Sequence, residues 1–193
     1  DQNGKYNLAI RDLIEGVYTN YDGDREDKNF KALETYLKQI EFASGIHHHY
    51  SMDKFTPGFT QEWLVAQAGK LPEGTVTNLD TLLPVIFDPT VMPKRVNQAE
   101  GQDLILTSAN NLYDGVSQAE VENYFNALKD PTDLTPVSWG LNTRVVKENG
   151  KVTEQVYKIG GLYTQALERI VENLEKSLPY AENDAQKDIV SKL

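Results

Sequence analysis

Two apolar stripes near the start of the chain constrain its fold more than any other feature. From Tyr6 onward, Ile10, Leu13, Ile14, Val17 and Tyr18 recur at the spacing that places them on one side of an α-helix. The polar run NYDGDRED interrupts this pattern, and Phe30, Leu33, Leu37 and Ile40 resume it with Lys and Glu on the far side. Apolar stripes of this length are driven out of water, and so short a connection brings the two together. A helical hairpin over residues 6–44 is expected, with Gly45 standing where a left-handed residue would close the second helix.

Downstream, local signals punctuate the chain. Thr60 suits the cap of a short helix, QEWLVAQA, which Gly69 and Pro72 end and which turns Trp63 and Leu64 inward. Pro84, Pro89 and Pro93 break the segment NLDTLLPVIFDPTVMPKRV, so residues 45–116 are expected to hold short helical turns and irregular pieces. DLILTSANNLYDG suits a strand or buried extended run. Ser117 and Glu120 form a capping box that opens a helix over 118–129, with Tyr124, Phe125 and Leu128 as its buried stripe. The β-branched and aromatic runs SWGLNTRVVK and VTEQVYKI, joined through Asn149-Gly150, predict a β-hairpin over 138–159. Tyr163, Leu167, Ile170, Val171, Leu174 and Leu178 then mark an amphipathic helix ended by Pro179, within a helical region 162–193. The expected class is α+β, amphipathic helices packed with a small antiparallel sheet, in a single domain over residues 1–193. A chain of 193 residues is long enough for such a core, burying about 70% of its unfolded surface.

Composition excludes several functions. With 29 Asp+Glu against 19 Lys+Arg, the net charge of -10 repels phosphate backbones, and nucleic acid is not an expected partner. No run reaches the length of a membrane span, and the absence of cysteine removes disulfides and thiolate metal sites. HExxH, G-x-S-x-G, G-x-G-x-x-G and P-loop motifs are all missing. Paired acids such as Glu26 with Asp27, or Asp130 with Asp133, lie in turn-rich polar stretches and read as solvated surface. All three histidines are consecutive, His47, His48 and His49. In a strand His47 and His49 would point one way and His48 the other, so two at most converge, short of the three protein ligands of a catalytic zinc. No catalytic residue and no metal ligand is assigned.

The stretch FASGIHHHYSMDKFTPGF resembles the N-terminal-lobe segment of the dipeptidyl-peptidase III family, in which a Gly…(Tyr/Phe)-x-x-x-Lys-Phe-x-Pro run follows a helix. Here the matching residues are Gly45, Tyr50, Lys54, Phe55 and Pro57, and the histidine triplet is similar to bacterial members of the Bacteroides type. LNTRVVKENGKVTEQVYKI resembles that family's Asn-Thr-Arg strand and hairpin, and GGLYTQALERIVENLEKSLPYAENDAQK its next helix pair. The resemblance implies a two-lobed zinc exopeptidase that removes dipeptides from the free N-terminus of short peptides, with zinc and general base on an HExxGH helix and a downstream glutamate motif of the other lobe. Neither motif is in this chain. The expectation is therefore a partial lobe, the non-zinc wall of a peptide cleft, inactive alone, with zinc held by the parent protein. Its implied partners are a short peptide and the zinc-bearing lobe, and Tyr50 is the implied substrate-binding residue. Asn142 and Arg144 match the family's strand and are read as structural. A chain that starts without methionine and stops within the helical NDAQKDIVSKL is expected to be part of a longer protein and to leave an apolar patch uncovered. An upstream signal would decide between cytoplasm and cell envelope. The rival reading is a non-catalytic α+β scaffold or interaction module of shared ancestry.

Overall fold

The computed structural model describes residues 4–76, 78–109 and 111–193. The fold is α+β, with seven α-helices and three short strands among these residues. Backbone contacts divide the chain into two compact units, Asp1–Glu122 and Asn123–Leu193.

In the first unit, α1 (Asn7–Asn20) and α2 (Lys28–Ala43) pair as the two stripes require. Ile10, Leu13, Ile14 and Val17 of α1 and Phe30, Leu33, Leu37 and Ile40 of α2 are buried, together with Tyr36. Each such side chain contributes about 1.5–3 kcal/mol on leaving water. The connecting turn is stapled by aromatics. Tyr21 stacks on Phe30 with centroids 4.5 Å apart, and the Arg25 guanidinium lies over the rings of Tyr18 and Phe30. Asp27 caps α2 by accepting from the amides of Asn29 and Phe30.

At the other end of α2 the expectation is corrected by one residue. Ser44, not Gly45, is the left-handed cap (φ 55°, ψ 39°), its amide bonding Glu41 O while the Gly45 amide bonds Ile40 O. This is the paired-bond closure of a helix C-terminus. Gly45 serves a different need, since at φ 152° a side chain is strained and a Cβ would sit 2.8 Å from Asn7 Cγ.

Helix α3 (Gln61–Ala68) is capped by Thr60 Oγ1, which accepts from the Trp63 amide at 3.2 Å, and Leu64 is fully buried. Helix α4 (Leu79–Phe87) runs straight through Pro84, contrary to the expected break. Proline removes one amide donor, but Leu82, Val85 and Ile86 bury on one side, and that burial outweighs the lost bond. Helix α1 touches α2, α3 and α4 and so forms the axis of this core.

The expected strand in DLILTSANNLYDG is also corrected, apart from Asn110, which lies outside the described residues. Only Tyr113–Asp114 forms a strand, β1. Leu104 to Thr107 instead make a turn nucleated by Asp103, whose carboxylate accepts from the amides of Ile105, Leu106 and Gln118. A side chain that satisfies three amides offers the backbone a better arrangement than an unpaired strand. These bonds, led by that from Leu106, hold the Asp103 carboxyl below its usual range.

Helix α5 (Gln118–Leu128) opens with the capping box: Glu120 Oε2 accepts from the Ser117 amide at 2.9 Å and Ser117 Oγ from the Glu120 amide. Its stripe differs from expectation, because Val121 is the buried residue, Tyr124 and Phe125 are half-buried and Leu128 is exposed.

In the second unit, β2 (Thr143–Glu148) and β3 (Lys151–Val156) pair antiparallel from Glu148↔Lys151 to Thr143↔Val156. Asn149 (φ 51°) and Gly150 (φ 79°) make the tight turn. Asn142 Nδ2 donates to Tyr157 O at 2.7 Å, which closes the open end of the hairpin. Helix α6 (Thr164–Ser177) is followed by a 3-10 turn at Leu178–Tyr180, which contains Pro179, and by α7 (Asp184–Lys192), capped by Asn183. No helix among the described residues is long and apolar enough to cross a membrane.

Candidate functional site

The loop after α2 gives each histidine a separate task. His47 is only 2% exposed, and its Nε2–H donates to Met92 O at 2.8 Å. Its Nδ1 is buried with no partner among the described residues. Burial first, with the positive charges of Lys54 and Arg95, lowers the His47 pKa, so the ring is neutral at pH 7. His48 faces the other way in the network: Nδ1 accepts from the amides of Tyr50 and Ser51, both at 3.2 Å, which places its proton on Nε2. His49 packs its ring 4.7 Å from His48 and 5.1 Å from Phe42.

The strand geometry that would turn His47 and His49 to one side is not adopted. The triplet is not a strand, since only His47 bridges to a partner, Lys54, and the chain turns at His48, where the Met52 amide bonds His48 O. The adjacent rings are therefore those of His48 and His49. Among the described residues no group of three or more His, Cys, Asp or Glu converges as a metal site.

Tyr50 stands at the crest of this loop, 82% exposed, with its ring 4.3 Å from that of His49. On one side it lines a cleft of about 510 Å³ with Ser51, Met52, Lys94 and Asn97. On the other side of the loop, a second cleft of about 500 Å³ has walls of Phe42, His48, His49 and Phe55, with Lys38 at α2. Tyr50 thus presents a ring and a phenolic hydroxyl to whatever enters the first cleft.

The loop is anchored rather than loose. Lys54 Nζ donates to three backbone carbonyls, Val85 O at 3.0 Å, Asp88 O at 2.5 Å and Val91 O at 2.6 Å. The Lys54 amide bonds Pro93 O, the Arg95 amide bonds Met52 O, and the Asp53 carboxylate pairs with Lys94 at 2.7 Å. The bond from Lys94, and then that from Ser51, hold the Asp53 carboxyl below its usual range. The far wall is set by Asn97, whose Nδ2 donates to Gln102 and Thr107 while its amide donates to Ser108 Oγ.

Of these residues the sequence singled out Tyr50 and matched Lys54 and Phe55 without assigning them a task. It missed the anchoring by His47 and the network of Asn97. Asn97 lies among the polar residues NQAEGQD, and such a run carries no mark of burial. In comparisons with known proteins, no protein-family model and no curated protein matches this chain.

Proposed function

We propose that this chain forms the non-zinc wall of the peptide cleft in a dipeptidyl-peptidase III-type exopeptidase, with Tyr50 gripping the N-terminal end of a short peptide. The observation that carries this reading is the pose of Tyr50. A phenol with 82% of its surface in water stands on a loop pinned at both ends, beside a cleft of peptide-side-chain dimensions. An aromatic ring held out in this way supplies apolar area at little entropic cost, and its hydroxyl adds one polar contact. The resemblance of Gly45, Tyr50, Lys54, Phe55 and Pro57 to the family's segment supports the same reading.

The part assigned to this chain is binding and orientation. Zinc would polarise the scissile carbonyl in the parent protein; among the described residues of this chain no three or more His, Cys, Asp or Glu converge. Lys94 lines the cleft beside Tyr50 and keeps N–H donors beyond its bond to Asp53 that can meet a peptide's backbone carbonyls, while Asn97, its Nδ2 committed to Gln102 and Thr107, shapes the wall.

The test is a titration of the isolated chain with short peptides, followed by backbone amide NMR. Shifts should concentrate at His49–Met52 and Lys94–Asn97, weaken in Tyr50→Ala and persist in part in Tyr50→Phe. Peptides that perturb only residues remote from this loop would remove the reading. Hydrolysis of a dipeptidyl-naphthylamide by the isolated, zinc-supplied chain would show instead that the chain carries chemistry of its own.

A further inference from the structure

We propose that the carbonyls of Val85, Asp88 and Val91 form an ammonium-binding cradle, filled in cis by Lys54, and that this occupancy fixes the loop bearing Tyr50.

The cradle is assembled by local geometry. Helix α4 ends at Phe87, so Val85 O belongs to the last turn and has no partner further along the helix. The chain then turns through Asp88, whose carboxylate accepts from the Thr90 amide and hydroxyl, and the Val91 amide bonds Asp88 O. That turn brings Asp88 O and Val91 O to the same point as Val85 O. Three oxygens at 2.5–3.0 Å from one nitrogen match the three N–H donors of a primary ammonium. Among the described residues Lys54 makes no ion pair with a carboxylate, so the carbonyl dipoles hold its charge. Burial lowers the Lys54 pKa, and Asp88 opposes the change.

Occupancy matters to the loop because both sides of the contact carry strained backbone. Met52 (φ 64°) and Met92 (φ 50°) are left-handed, a conformation that side-chain-bearing residues adopt at a cost and keep when their surroundings fix it. Met52 O accepts from the Arg95 amide, and Met92 O accepts from His47. Lys54 lies between these two points and ties them to α4. With its ammonium removed, Val85 O and Val91 O lose this donor, Asp88 O keeps only the Val91 amide, and the strain at Met52 and Met92 has less to hold it.

The test uses Lys54→Ala of the whole chain, with amide hydrogen exchange read at His48, Met52 and Phe55. Exchange there should accelerate about tenfold or more, with the amides of α1 changed far less. Ammonium or methylammonium chloride should restore protection, while tetramethylammonium chloride at the same ionic strength should not, because it has no N–H to donate. Should Lys54→Ala fail to fold, Lys54→Met keeps the alkyl stem and carries the same measurement. Wild-type protection in either variant overturns the proposal, as does equal rescue by tetramethylammonium. The readout does not depend on peptide binding, so failure of the peptide reading would leave it standing, and the reverse.

Discussion

Helices α1 and α6 have the same length, 14 residues, and both carry an apolar stripe, yet they end in opposite environments. Helix α1 buries Ile10, Leu13, Ile14 and Val17 against three other helices. Helix α6 has no buried residue, and Ile170 is 54% exposed. The difference lies in what each stripe meets. α1 has α2 close behind it, with Phe30 and Tyr21 stacked to fix the approach, whereas α6 is followed by a 3-10 turn and by the nine-residue α7, which buries none of its own side chains. Amphipathic spacing therefore states which side of a helix seeks cover and not whether cover is supplied.

The largest effect that could break this contrast is at Leu13. Leu13→Ala should lower unfolding free energy by about 3–4 kcal/mol, measured by urea denaturation, because the side chain is fully enclosed and α1 sits at the centre of its unit. A loss below about 1 kcal/mol would mean that the α1 core is no better packed than the α6 surface.

Gly45→Ala comes next, with a loss of about 1–3 kcal/mol, since both the backbone conformation and the Asn7 side chain oppose a Cβ. Gly150→Ala tests a positive φ with no such neighbour. At φ 79° and with nothing within 4 Å of the added Cβ, the loss should stay near 1 kcal/mol. The excess loss at Gly45 combines its less tolerated φ with the clash against Asn7.

The pH dependence sharpens the comparison from another side, because His47 is a buried group of the first unit that takes up a proton in the acid range. Its folded pKa lies below the ordinary 6.5, with burial as the main cause. The unfolded chain therefore binds a proton first as pH falls. Stability from the neutral ring is complete above pH 6.5 and is lost progressively as pH drops from there through the lower folded value. His47→Gln should flatten that part of the stability curve, followed by thermal unfolding between pH 7.5 and the acid limit of folding. An unchanged slope in the variant would assign the acid sensitivity to other groups.

The contrast also explains what the sequence made legible. Thr60, the Ser117–Glu120 box and the Asn149-Gly150 turn act over a few residues, so their signals stay intact in the linear chain. Pro84 misleads because its penalty is local and visible in the sequence, whereas the burial of Leu82, Val85 and Ile86 that opposes it is tertiary. Ser44 is masked in the sequence because the neighbouring Gly45 fits the same rule and has a separate, tertiary reason to be there. The site was harder still. Tyr50 was reached through a resemblance, and the Lys54 anchor uses backbone carbonyls 31 to 37 residues away, a group that every residue possesses and no pattern distinguishes.

The smallest expected effect is at Ile170. Ile170→Ser should change stability by less than about 0.5 kcal/mol, since more than half of the side chain already meets water and little burial is forfeited. The same substitution on α1 would be ruinous, which is why this null result carries information. If Ile170→Ser instead costs about 2 kcal/mol or more, the side chain is covered in solution. Sedimentation over a range of protein concentrations then separates the cases. A loss that grows with concentration identifies a second copy of the chain on α6, and one that does not requires a rearranged helix pair that buries Ile170 against α7.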